Sequence, residues 1–445
     1  MSTETGSRTR TQTTLDEPRF GRDADTRKQP SGRRPPRSFR GKLRIVGPGL
    51  IIAATGVGAG DLVSSLAAGQ EYAFTFVWAA VIGVALKFAL TEGIARWALA
   101  TGTTIIQAWY SLGAIVRAYF VGYLFLLTFI FGAAVASATG LALNAMLPFL
   151  PVWAWAVLAS IFGFVINVIG RFGVFEKIMQ FLVGLMFVTT VGAAIAVTPD
   201  LGDVAGGLVP RVPDGSLLYG LGLMGGIGAT LTLASYTYWM RDNGWREAGW
   251  IPTARVDIGT GYLVTGVFVI AMLVVGAEFL NGTGRTIDGE EGLVPLADAL
   301  GDRLGEAARW LFLLGFFSAA YSSLVGAWNG FAYLFADFVR TARAKGEDSE
   351  DTTPLEETTP FRWLLVWISF PPMVLLFFDQ PVFLVIVYAA LGALFLPFLA
   401  GSLIWLLNSK RVEKEHRNGP LANFVLGGSV VLFAILAVQQ IKDAV

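Results

Sequence analysis

The chain of 445 residues contains no cysteine and a single histidine, His416. Disulfides and thiolate metal sites are therefore excluded, and most histidine-based catalysis and metal binding go with them. His416 lies in a polar stretch, so no imidazole sits inside an apolar run. Charge is scarce as well. Asp, Glu, Lys and Arg make up 15% of the residues, whereas 54% are hydrophobic and the mean hydropathy is +0.60. That balance excludes a soluble globule and points to an all-α polytopic membrane protein. The first 43 residues lack an apolar segment, so no secretory signal is expected. A membrane enzyme is the least favoured class, because nothing offers a nucleophile beside a base or a cluster of acids.

What charge there is falls unevenly. Residues 1–44 carry twelve Lys or Arg against five Asp or Glu, a net +7, in a stretch rich in Ser, Thr, Pro and Gly. It reads as a disordered cytoplasmic tail rather than a nucleic-acid binder. Binding to anionic headgroups is the sharper alternative.

Eleven apolar spans follow, at roughly 45–67, 73–97, 116–146, 152–170, 174–198, 216–240, 252–278, 304–330, 361–378, 381–407 and 421–441. With the N-terminus inside, one set of loops collects Arg171, Lys177, Arg241, Arg246, Arg255, Arg340, Arg343, Lys345, Lys410, Arg411, Lys414 and Arg417. The opposite loops are poor in Lys and Arg, and the loop 279–303 is acidic, with Asp288, Glu290, Glu291 and Asp298. This is a self-consistent positive-inside topology. Five spans being an odd number, 45–198 and 216–407 become two halves of opposite orientation. They are joined by an external loop, 199–215, and followed by a cytoplasmic loop and an eleventh helix, 408–445. Residues 344–359 read as a polar cytoplasmic linker.

Glycines interrupt the first span of each half, about 170 residues apart. One reads Gly47-Pro48-Gly49 and then Gly56-Val57-Gly58-Ala59-Gly60-Asp61; the other reads Gly220-Leu221-Gly222 and then Gly225-Gly226-Ile227-Gly228-Ala229-Thr230. Paired, glycine-broken spans point to the substrate site of an inverted-repeat secondary transporter. The expected site is thus Gly56, Gly58 and Asp61 from the first break, with Gly228, Thr232 and Ser235 from the second. Carbonyls freed by unwinding plus one carboxylate make an oxygen-only site suited to Mg²⁺, Mn²⁺, Ca²⁺ or Na⁺, with Asp61 as the metal ligand. The alternative is that Asp61 only caps the second half of the broken helix, and the two roles are compatible.

Span two carries Lys87, Glu92 and Arg96. Counted at 1.5 Å per residue from Ala73, Lys87 lies roughly 21 Å into a core of about 30 Å, in its cytoplasmic half. Glu92 and Arg96 form an i,i+4 pair suited to anchoring or an inner gate. A buried lysine needs a partner, and Glu92 or Asp257 of span seven is expected to supply it. Lys87, Glu92, Arg96 and Asp257 are the gating or coupling candidates. Ser322 and Ser323 in span eight, like Ser137 and Thr139 in span three, are expected to serve helix packing.

These residues resemble a family, the Nramp metal-ion transporters. The likeness runs from Gly47-Pro48-Gly49 through Ala68-Gly69 and Trp78 to Ala100-Thr101-Gly102. It continues at Gly228-Ala229-Thr230, at Arg255 and Asp257, at Ser322-Ser323 and Gly326, and at Leu396-Pro397-Phe398. The resemblance implies a LeuT-like fold of two inverted five-helix repeats, with discontinuous helices one and six and an added eleventh helix. The chemistry departs from the family pattern. The helix-one Asp-Pro-Gly-Asn reads Gly58-Ala59-Gly60-Asp61, so the metal-binding Asp has become Gly58 and the Asn position an acid. The helix-six Met-Pro-His reads Thr232-Leu233-Ala234, and its second histidine position is Trp239. A helix-ten glutamine position is Phe395. The acidic pair of helix three falls in Ala133-Ala134-Val135-Ala136-Ser137, which has no carboxylate. A thioether favours softer transition metals, so its loss points toward a hard ion. Magnesium-carrying relatives also lack the sulfur but keep the helix-one Asp.

The expected function is a secondary transporter in the plasma membrane, moving a divalent cation such as Mg²⁺ or Mn²⁺ by alternating access. The alternative is an organic-solute transporter on the same scaffold, with Trp239, Tyr236, Phe395 and Tyr321 lining the site. The expected partners are the lipid bilayer and the small ion or solute. No cofactor, nucleic acid or obligate protein partner is inferred.

Overall fold

The computed structural model describes residues 34–444 apart from 170–171, 198, 229, 283–291, 347–348, 350 and 379–380. Most of the basic tail, Arg171, Ala229, the acids Asp288, Glu290 and Glu291, and Glu347, Asp348 and Glu350 of the linker lie outside the described residues.

Regular structure among the described residues is helical throughout. A short α1 (Phe39–Leu43) leads into the first broken span, α2 (Pro48–Gly56) and α3 (Ala59–Tyr72). Next come α4 (Val77–Thr101), a connecting α5 (Ile105–Ser111), α6 (Ala114–Met146), α7 (Val152–Ile169) and α8 (Phe172–Ala196). After the small α9 (Leu201–Gly206), the second broken span consists of α10 (Leu217–Gly226), a 3₁₀ segment (Leu231–Ser235) and α11 (Tyr236–Asp242). The chain ends with α12 (Ile251–Phe279), α13 (Leu293–Leu304), α14 (Glu306–Arg343), α15 (Thr359–Ser369), α16 (Pro381–Leu407) and α17 (Pro420–Ala444). Eight of the described helices are each long and apolar enough to cross a bilayer, and the bent pair α2 and α3 makes a ninth span. The second broken span and α16 complete the eleven expected from the sequence.

Three departures have plain causes. The stretch 279–303 is not merely an acidic loop, because it holds α13. Leu293, Leu296, Ala297 and Leu300 share one buried face at i, i+3, i+4 and i+7, and Asp298, the one of the four acids that lies in the helix, is on its exposed side. Helix α14 is 38 residues long and continues far past the expected end at 330. Its extra turns bury Phe331, which edges against Phe131, and Tyr333, whose hydroxyl reaches Glu356 of the linker, so protein covers both. Span nine starts as α15 but continues as a 3₁₀ stretch from Pro371, where two consecutive prolines remove backbone donors.

The two halves meet backbone to backbone where the glycines lie. Any side chain at Gly261 of α12 would run into the Gly49 carbonyl of α2, and Gly276 is closed in the same way by the backbone of Leu66 on α3. Small residues at such crossings let helices pack without a hydrophobic driving force between them. Gly261→Ala is accordingly expected to lower stability by about 1–3 kcal/mol, read as a lower melting temperature of the purified protein in detergent. An unchanged melting temperature would mean that the crossing is not a tight one.

Candidate functional site

The first break follows from its glycines. Helix α2 ends at Gly56, Val57 and Gly58 run extended, and α3 restarts at Ala59. The two halves are bent by 62°. Asp61 is the third residue of α3, and its Oδ2 accepts the Gly58 N–H at 2.9 Å. The capping role expected of Asp61 is therefore present, but it uses only one oxygen. Oδ1 is buried and has no hydrogen-bond partner among the described residues. It lies 3.6 Å from where a Cβ on Gly226 would sit, so it faces the end of α10.

The second break adds a cation. Helix α10 stops at Gly226, and Gly228 turns the chain at φ +67°, a left-handed conformation that glycine adopts without strain. The carbonyl of Gly228 accepts from Lys87 Nζ at 2.9 Å. Lys87 is fully buried and attracts Asp61 by charge. The ring of Phe433, from α17, lies 5.8 Å from its Nζ. This corrects the sequence expectation in depth and partner. Helix α4 begins at Val77 and not at Ala73, which puts Lys87 about 15 Å along it, near mid-span. Its partners are Gly228 and Asp61, not Glu92 or Asp257.

Glu92 and Arg96 do pair as expected, at 3.1 Å. Glu92 also holds Arg255 of α12 at 2.8 Å, and Arg96 donates to the His416 carbonyl at 2.8 Å and to Asn418 Oδ1 at 2.7 Å. This cluster lies at the tail-side end of the bundle, away from the breaks. Asp257 has another task. It accepts the Gly47 N–H at 2.9 Å, the Gly49 N–H at 2.7 Å and the Tyr236 hydroxyl at 2.8 Å. One carboxylate thus caps α2 and fastens it to the first residue of α11.

Ser322 and Ser323 do more than pack. Their hydroxyls donate to the carbonyls of Ala54 and Thr55, at 2.7 Å each, in the last turn of α2. Unwinding frees these carbonyls, and α14 satisfies them. The hydroxyls of Thr55 and Ser235 are buried without a partner among the described residues, and Thr232 is buried in the second break. Two of the bulky residues expected to line the site belong elsewhere. Tyr321 stacks on Phe317 beside an outward-facing apolar recess of α8 and α14. Phe395 stacks on Tyr123 and edges against Trp109. Trp239 is buried and donates to Asn329 Oδ1 at 2.8 Å. Sequence inspection missed Asp337 of α14, which accepts from Thr104 at 2.5 Å and from Tyr238 at 2.6 Å. It lies beyond the expected end of span eight at 330, so no intramembrane acid was expected there.

No three His, Cys, Asp or Glu side chains converge among the described residues. Asp61 is the carboxylate that faces the end of α10 at the breaks. A family model described as "Natural resistance-associated macrophage protein-like" matches residues 49–442. The chain belongs to the Nramp family. The divalent metal cation transporter MntH of Chromohalobacter salexigens is 27% identical over 261 residues, 54% of this chain and 58% of that protein's length. The manganese transporter of Eremococcus coleocola superposes with a TM-score of 0.76 at 17% identity, over 96% of this chain and 91% of that one. Mhp1, a nucleobase-cation-symport-1 family transporter, superposes at 0.56 with 11% identity, over 90% and 92%. This Nramp chain therefore has the LeuT-like fold, with its two discontinuous helices where the glycines placed them.

Proposed function

We propose that this Nramp-family protein is a secondary transporter that moves a hard divalent cation, such as Mg²⁺ or Mn²⁺, by alternating access, with Asp61 as its charged ligand. One observation carries the proposal: a buried carboxylate oxygen without a partner, set between the two helix breaks. A carboxylate inside a bilayer is costly unless it is paired or used. The C-terminal ends of α2 and α10 add carbonyls and negative dipole ends at the same place. With a single acid, the ion keeps part of its water, which suits Mg²⁺ well. Gly56, Gly58, Gly228, Thr232 and Ser235 belong to this site as backbone and hydroxyl oxygens. The N-terminus and the basic loops face the cytoplasm across a plasma membrane. Glu92, Arg96 and Asp257 hold the inner ends of the helices together and act as a gate.

The test is uptake into proteoliposomes, scanning Mg²⁺, Mn²⁺, Ca²⁺ and Na⁺ with internal pH recorded. Saturable divalent uptake is expected. Its absence in well-folded protein would remove the proposal.

Lys87 sharpens the reading, because its ammonium competes with an incoming cation for Asp61. Lys87→Gln is expected to tighten divalent-ion binding about tenfold, measured by calorimetric titration. The same lysine favours a second reading, an amino-acid-like solute whose amine meets Asp61 and whose carboxylate meets Lys87. In that case Lys87→Gln would abolish solute uptake and leave ion binding unchanged.

A further inference from the structure

Away from the helix breaks, the bundle has an open cavity of about 870 Å³, lined by α4, α12, α17 and the segment that leads into α17. Its inner wall is apolar: Phe88 and Ala89 of α4, Ile251 of α12, Leu421 and Val425 of α17. Its rim is charged: Arg96, Arg255 and Arg417 stand against Glu92 and Glu415, with His416 between them. Glu92 is shared by Arg96 and Arg255, so the rim keeps a net positive charge. Arg96 is nearly buried and its nitrogens are engaged, on Glu92, the His416 carbonyl and Asn418. Arg255 is about half exposed, at 52%, and spends only Nε and one terminal nitrogen on Glu92. Arg417 donates through Nε to the Val412 carbonyl. A guanidinium carries five N–H groups, so both of these arginines have donors left for a ligand.

The cavity sits at the start of α12 and α17, beside the basic segment that holds Lys410, Arg411, Lys414 and Arg417. Leu421 and Phe424, 75% and 78% exposed, continue its apolar wall outward along α17. We propose that this cavity is a binding site for an anionic phospholipid of the cytoplasmic leaflet. The phosphate takes the spare donors of Arg255 and Arg417, and an acyl chain lies along Phe88, Leu421 and Val425. An amphipathic cavity, basic at the headgroup level and apolar below it, matches an anionic lipid better than it matches a soluble anion, which would leave the apolar wall wet. The lipid would bridge α17 to α4 and α12, where the shared Glu92 already joins two of the three.

Native mass spectrometry of the delipidated full chain in detergent tests this, with phosphatidylglycerol, phosphatidylcholine and inorganic phosphate as probes. Retention of phosphatidylglycerol over phosphatidylcholine is expected. Arg255→Gln and Arg417→Gln are each expected to weaken it about fivefold, while Lys410→Gln, an exposed cation outside the cavity, leaves it unchanged. Gel filtration checks that each variant is folded, and Arg417→Gln alone suffices if Arg255→Gln is not. Equal retention of the two lipids, or unchanged retention in a folded Arg417→Gln protein, would overturn the proposal. Release of the lipid by millimolar phosphate would also overturn it and assign the rim to a soluble anion.

Discussion

Asp61→Ala is expected to abolish saturable divalent-cation uptake, a loss on the order of 100-fold or more. Asp61 is the one acid among the residues assigned to the site, so the variant leaves that set with only neutral oxygens. These cannot repay the cost of stripping a divalent ion of its water. The substitution also removes the carboxylate that attracts the buried ammonium of Lys87, which donates to the Gly228 carbonyl. An uncompensated buried charge costs about 3–5 kcal/mol, so the single variant is expected to be less stable as well as inactive. The double variant Asp61→Ala/Lys87→Ala separates the two effects. Its melting temperature should return toward that of the wild type while uptake stays lost. A folded Asp61→Ala protein that still takes up divalent ions at the wild-type rate would end the assignment of Asp61 as ligand.

Asp257→Ala is expected to be the most destabilising substitution away from the breaks, by about 3–5 kcal/mol. It strands three buried donors together: the amides of Gly47 and Gly49 and the hydroxyl of Tyr236. Glu176 lies beside Gly47, but the tight α2 to α12 crossing at Gly49 leaves little room for water. Asp257→Asn keeps one acceptor and should fall between the two. Tyr236→Phe removes one donor and should cost about 1 kcal/mol. Thermal melting in detergent ranks the series. If Asp257→Ala melts with the wild type, the carboxylate is not what holds α2 to α11.

The scaffold was legible because its determinants are local. Glycine runs mark where a helix stops, and basic residues mark which loops share a side. Asp61 stood out for the same reason, as an acid at the start of a restarted helix. The partner of Lys87 was not legible, because it is a backbone carbonyl 141 residues away, and carbonyls leave no trace in residue identity. Counting turns along α4 alone gave the wrong depth once the true start of the helix moved by one turn. The serines of α14 read as packing residues for a similar reason: their acceptors are backbone atoms of another span. Tyr321 and Phe395 were placed at the site by size and position. Whether a large ring faces the centre or a neighbouring helix depends on rotation about the helix axis, which an almost uniformly apolar sequence does not mark.

The lysine at the second break also bears on symmetry. Two identical inverted halves would relate a protein open to one side to the same protein open to the other by a two-fold rotation, and the two would be equal in energy. Helix α12, the counterpart of α4, contains no lysine, and the ring over Lys87 comes from α17, outside both repeats. The tie from Lys87 to Gly228 therefore has no twin. The degeneracy is lifted within the polypeptide itself, so the two orientations are expected to differ in energy before any ion or voltage acts on them.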